Sequence, residues 1–182
     1  MTPEQAAALR GEVDVAAEQA RRLVEGMDAG ALMKRPGSGV WSVGENLQHL
    51  ILTANAMLPL AEGAVVQLER EPRKTTKPAG LGFIGWLLFK SLDPPARMKI
   101  KTTKPFEPVE VKEPLTLLDR LSACDVKLKS LIDRASGLDT SSVKVTSPFN
   151  EKAKYNLYAA FRIMLAHERR HLWAAERAKN RN

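Results

Sequence analysis

Two of the chain's three histidines stand four residues apart near its end, in the run FRIMLAHERRHLWAAERA. His167, Glu168 and His171 spell H-E-x-x-H. On a helix this spacing sets two imidazoles one turn apart, where a single divalent cation reaches both. In metalloproteases that use the string, the glutamate is the general base. Such an enzyme also needs a third protein ligand downstream. The extended form would place glycine at position 174 and histidine at position 177; this chain has Ala174 and Arg177. Only 11 residues follow His171, and Glu176 continues the same helical run. No edge strand to hold an extended peptide is evident. A metalloprotease-like hydrolase is therefore disfavoured, which leaves two imidazoles that either share a metal ion or pack as core or boundary histidines.

Four long helical patterns must position these groups. The first opens at Thr2-Pro3-Glu4-Gln5, a capping box with proline at the first helical position. Leu9, Val13, Ala16, Ala20, Leu23 and Met27 follow at helical spacing. The second opens at Ser42-Val43-Gly44-Glu45, again a capping box, and runs to about Arg70. Leu47, Leu50, Ile51, Ala54, Leu58, Ala61 and Val65 form its apolar face. The third begins near Glu113-Pro114 and ends at Gly137, with a stripe of Leu117, Leu121, Cys124, Leu128 and Leu131. Cys124 on that stripe reads as a packed thiol. After a loop containing Ser147-Pro148-Phe149, the fourth runs from about Tyr155 to Lys179. On its projection, with Leu157 at 0°, His171 falls at about −40° and His167 at about −80°, on or beside the core face. Glu168 falls at about 20° and points inward, where a buried carboxylate needs a partner.

The third histidine, His49, lies on the second helix, opposite its main apolar face, beside Leu52, Ala56 and Leu60. A helix apolar on two sides is buried between neighbours. Periodicity thus permits an inward His49 without choosing it.

The pair WSVGENLQHL at 41–50 and HERRHLW at 167–173 resembles the DinB-like (DNA-damage-inducible) superfamily. That resemblance implies an all-α four-helix bundle with a long crossover excursion between the second and third helices, spanning residues 1–182 as one domain. It also implies a metal-binding triad of His49, His167 and His171. Trp41 and Glu45 match the helix-opening signature. Arg170 and Ala174 depart from the histidine and glutamine that many members carry there. The activity implied is metal-assisted transfer or isomerisation with a low-molecular-weight thiol such as bacillithiol or mycothiol.

Three imidazoles from one protein leave coordination positions open, as a catalytic rather than a structural zinc site does. Nitrogen ligands suit zinc or nickel. Glu168 and Glu45 are the candidates for orienting an imidazole or moving a proton.

The net charge is +7, from 28 Lys+Arg against 21 Asp+Glu. Residues 71–112 carry nine Lys/Arg against four Asp/Glu, so most of the surplus sits there. This excursion holds KTTKP twice, at 74–78 and 101–105, flanking the apolar run LGFIGWLLFKS. The run suits a short helix folding back as a lid, and Arg73, Lys74 and Arg97 are candidates for binding an anionic thiol cofactor. Nucleic acid is a disfavoured partner, because aromatic residues are sparse among the basic ones and no recognised motif appears. A single cysteine and the lack of a basic-then-apolar N-terminus point to a cytoplasmic protein. The longest unbroken apolar run, 81–89, is too short to span a bilayer. The sequence therefore leads to a metal-dependent enzyme acting on a small molecule, of thiol S-transferase type. A non-enzymatic metal-binding stress-response bundle is the alternative. Either is compatible with a homodimer.

Overall fold

The computed structural model describes residues 1–95 and 102–181. The described chain is predominantly helical, in the order α1 (Pro3–Val24), α2 (Ala29–Met33), α3 (Val43–Arg70), α4 (Gly82–Leu92), α5 (Leu117–Arg134), β1 (Lys144–Ser147), β2 (Asn150–Asn156) and α6 (Leu157–Lys179). Short 3₁₀ turns at Lys104–Phe106 and Pro114–Thr116 precede α5.

Capping side chains set the helix starts. Thr2 Oγ1 accepts from Gln5 N while Gln5 Oε1 accepts from Thr2 N. Ser42 and Glu45 repeat the exchange at α3. Asn156 Oδ1 accepts from Ala159 N at 2.8 Å and opens α6. Each satisfies amide groups that a helix start otherwise leaves unpaired.

The four long helices pack pairwise: α3 lies against α5 and α6, and α1 lies against the same two from the other side. The core falls into two lobes. The larger gathers Leu9, Met57, Leu131, Leu157 and Phe161; the smaller gathers Leu47, Leu50, Leu117 and Leu172. The first turns of α3, from Val43 to Ile51, are buried all round, so the helix start that carries His49 lies deep among its neighbours.

Three elements depart from expectation. The short helix α2 packs on the start of α3, and its Asp28 N-cap accepts from Ala31 N. The expected loop around Ser147-Pro148-Phe149 is the tip of an antiparallel hairpin, with Val145 opposite Tyr155 and Ser147 opposite Asn150. Val143 and Val145 are buried and Lys144 is exposed, a period-two signature too short to stand out between two helices. Finally, α3 is long and apolar enough to cross a membrane by length and composition. Counting unbroken apolar runs misses this, because polar residues interrupt the helix. Those interruptions, Glu45, Asn46, Gln48 and His49, are themselves buried against protein.

The expected apolar helix within the excursion is present as α4. It packs on α6 through Gly85, where an added Cβ would lie 2.6 Å from the Ala159 Cβ. Gly85→Val should therefore destabilise the fold by about 1–3 kcal/mol. Gly63→Ala, at an exposed α3 position with open space around it, should stabilise it by roughly 0.5–1 kcal/mol. Urea melts of the two variants beside wild type check the opposite signs.

Candidate metal centre

α3 and α6 bring all three histidines together. Their ligating nitrogens lie within 4.8 Å of one another, and the His49 and His167 Nε2 atoms are 3.2 Å apart. Ring centroids are 4.3 to 5.0 Å apart across the three pairs.

Each ring's other nitrogen has a partner that fixes its proton. His49 Nδ1 lies 2.7 Å from the Phe106 carbonyl, which can only accept. His171 Nδ1 lies 3.0 Å from Asn46 Oδ1. The amide cannot be turned the other way, because Asn46 Nδ2 donates to the Ser42 carbonyl at 2.9 Å. Thr53 Oγ1 gives its hydrogen to the His49 and Leu50 carbonyls, at 3.0 Å each. Toward His167 Nδ1, at 3.5 Å, it therefore presents a lone pair. The Phe106 and Asn46 oxygens favour hydrogen on Nδ1 of His49 and His171, which leaves their Nε2 atoms bare; His49 Nε2 and His167 Nε2 meet at hydrogen-bond distance, 3.2 Å.

Burial keeps the rings neutral. It pushes His167 down to about 3, with added repulsion from His49 and Arg170. Burial likewise holds His171 well below its ordinary range. It lowers His49 against the opposing pull of the Phe106 carbonyl. Two Nε2 atoms 3.2 Å apart either share a hydrogen or face a common cation. Three neutral, converging imidazole nitrogens, each backed by an oriented partner, are the donor set a divalent transition metal requires.

The triad lines a cavity of about 960 Å³. Trp41 flanks it, stacked on His171 with centroids 5.8 Å apart and tilted against His49 at 5.0 Å. Phe106, from the end of the excursion, meets Phe149, from the hairpin tip, edge to face at 4.6 Å. Two elements far apart in sequence thus close over one side of the site.

A family model of the DinB superfamily matches residues 12–175. The chain belongs to the DinB superfamily. No curated protein and no solved structure gave a match.

The remaining expected site residues divide. Glu45 meets Ser42 N at 2.8 Å and the Arg35 guanidinium at 2.8 and 2.9 Å, and no imidazole. Burial raises its pKa, but Arg35 and Ser42 outweigh that and bring it below the ordinary value. Glu168 lines the cavity, yet among the described residues its Oε1 has no hydrogen-bond partner, so the partner expected for it is not found there on that side. Arg73 and Lys74 do not line the cavity. They follow the C-terminal end of α3, roughly 30 Å along the helix from His49, where Arg73 O accepts from Asp139 N. Arg97 lies outside the described residues. Among the described residues, the cationic lining comes from Arg35, Arg170, Arg177 and Arg181, with Arg177 over the Trp173 ring at 4.8 Å.

Sequence reasoning missed Asn46, Thr53 and the Phe106 carbonyl, whose roles depend on contacts spanning up to 125 residues. It also missed Asp125. Burial raises Asp125 to about 7 and Glu168 to about 8, where the Asp125 charge adds to the effect. One signal was available: Asp125 directly follows Cys124 on the buried stripe of α5.

Two tests follow from this geometry. Asn46→Ala should weaken divalent metal binding roughly 10- to 100-fold, read by competition with a chromophoric chelator. For the carboxylates, a folded pKa above the unfolded one gives stability that is full below about 4.5 and lost as pH rises through about 8. Glu168→Gln removes that loss. Its melting temperature relative to wild type should thus rise from pH 5 to pH 9, read from paired thermal melts.

Proposed function

We propose that this DinB-superfamily protein is a metal-dependent enzyme that transfers or isomerises a small substrate with the help of a low-molecular-weight thiol. In this reading the four long helices form a bundle, with the α4-bearing excursion as the crossover. The observation that carries it is the set of three imidazoles whose ligating nitrogens lie within 4.8 Å of one another at the wall of a cavity large enough for substrate and thiol together.

His49, His167 and His171 would hold the ion, with zinc or nickel best matched to three imidazoles. Bound there, such an ion would supply Lewis acidity and lower the pKa of a thiol or water at its open positions. The chain's own groups do the rest. Phe106, Asn46 and Thr53 hold the imidazoles in the metal-binding tautomer. Trp41, Phe106 and Phe149 restrict water over the rings. Arg177, braced on Trp173, and Arg170, which donates to the Ser91 carbonyl at 3.0 Å, offer positive charge to an anionic thiol. Glu168 and Asp125, which exchange protons near neutral pH, stand at the inner wall to give or take one.

The non-enzymatic alternative needs the metal but not the cavity. The open cavity at the triad favours the enzyme.

Elemental analysis should find about one divalent ion per chain in wild type and a clear loss in His171→Ala. Metal in the variant equal to wild type would refute the triad. Thiol-dependent turnover of an electrophile, present in metal-loaded wild type and reduced at least roughly 100-fold in His49→Ala, would support the enzymatic reading. Stoichiometric metal without turnover across a panel of thiols would favour the alternative.

A further inference from the structure

α4 is apolar around most of its circumference, interrupted by Lys90 and Ser91, in the run GFIGWLLFKSL. Helices of that composition are covered on all sides. Here only one side is covered. Gly85 is buried against Ala159, and Leu88 and Leu92 pack against the larger core lobe. On the opposite side, Phe83, Trp86, Leu87 and Lys90 share one stripe by helical phase. Phe83 is 78% exposed, Leu87 52% and Trp86 49%, with Ile84 at 40% on the border. Lys90 is exposed as well. Single surface apolar residues are ordinary, but a contiguous set on one helix marks an interaction surface.

Exposed lysines lie next to α4 in the chain and on the strand packed against it. Lys77 is exposed just ahead of the helix. The strand β2 packs on α4 and carries exposed Lys152 and Lys154, against its one carboxylate, Glu151. Asp93, at the end of α4, is engaged by Arg169 at 2.7 Å, which leaves the positive charges to set the local field.

We infer that the outer face of α4 docks on an anionic phospholipid bilayer. Phe83, Trp86 and Leu87 enter the boundary between headgroups and acyl chains, and the lysines stay with the phosphates. A second copy of this chain is a poorer occupant. A two-fold contact through α4 would bring Lys90 and its basic flanks toward their own copies, whereas an anionic bilayer complements both the apolar stripe and the charge. The inner side of α4 supplies Leu88, Ser91 and Leu92 to the cavity wall. Docking therefore sets the cavity about one helix diameter, ~10 Å, from the lipid. The proposal does not depend on the metal reading.

The test is co-sedimentation of the full chain with large unilamellar vesicles of phosphatidylglycerol and phosphatidylcholine, or of phosphatidylcholine alone. Binding should be at least roughly tenfold tighter to the anionic vesicles and weaken in high salt. Phe83→Ser with Leu87→Ser should abolish it while the circular dichroism spectrum and melting temperature stay near wild type, since both side chains face solvent. Lys90→Glu should weaken binding to anionic vesicles and leave binding to neutral ones unchanged. Three results would overturn the proposal. One is no sedimentation of wild type with anionic vesicles at low salt. Another is equal binding to both lipids. The third is a dimer by light scattering that the double substitution disperses, which would assign the face to self-association.

Discussion

The site rests on the placement of three protons. If Nδ1 of each imidazole carries hydrogen, Nε2 is bare, and three bare nitrogens can face one point. The Phe106 carbonyl and the Asn46 amide favour that placement for His49 and His171, and the Thr53 hydroxyl lies 3.5 Å from the His167 Nδ1. Each partner is itself held: Asn46 by the Ser42 carbonyl, Thr53 by two carbonyls of its own helix. Remove these supports and the rings can turn or change tautomer, and the convergence is lost. Much of the architecture around α3 serves this arrangement. The buried start of the helix, the capping box beneath it and the excursion that delivers Phe106 all bear on where hydrogen sits.

Burial acts on histidines and carboxylates in opposite senses within the same cavity. It strips protons from His49, His167 and His171, and retains them on Glu168 and Asp125. Both follow from the cost of charge in a low-dielectric wall. The outcome is a set of neutral bases beside a pair of carboxyls whose pKa values are raised to about 7 and about 8. This makes Glu168 different from the general base its H-E-x-x-H context suggests. It is neighbour to a ligand in sequence, yet its electrostatic partner is a carboxylate on α5.

Among its described residues, the excursion between α3 and α5 makes two separate contributions, and neither brings Arg73 or Lys74 to the cavity. Its far arm carries Phe106 to His49 and onto Phe149. Its middle forms α4, which has one face against α6 and one facing out. Arg73 and Lys74, which raised the expectation of an anion site, belong to the turn after α3, paired with the residues that follow α5. Linear charge density showed that the segment is basic, but not which charges reach the cavity. That depends on the length of α3, which sets its two ends far apart.

Much of the fold was legible in local pattern. Caps at Thr2 and Ser42, apolar stripes on the long helices and the apolar run of α4 reflect short-range physics: unpaired amides at helix starts and side chains recurring each turn. His167 and His171 were legible for the same reason, since i and i+4 share a face. His49 was different. Its own helix allowed two orientations, and family resemblance rather than periodicity pointed to it. The hairpin at 144–156 and the short α2 escaped because each is held by what it packs against and not by a strong pattern of its own. The supporting partners of the triad escaped for a stronger reason. A backbone carbonyl at Phe106, an amide at Asn46 and a carboxylate at Asp125 carry no signature in a linear string. Sequence alone determined which side chains could bind a metal and which helices carried them. Only tertiary packing decided which nitrogen of each ring was free to do so, because a proton's position depends on the atom across from it, and that atom comes from elsewhere in the fold.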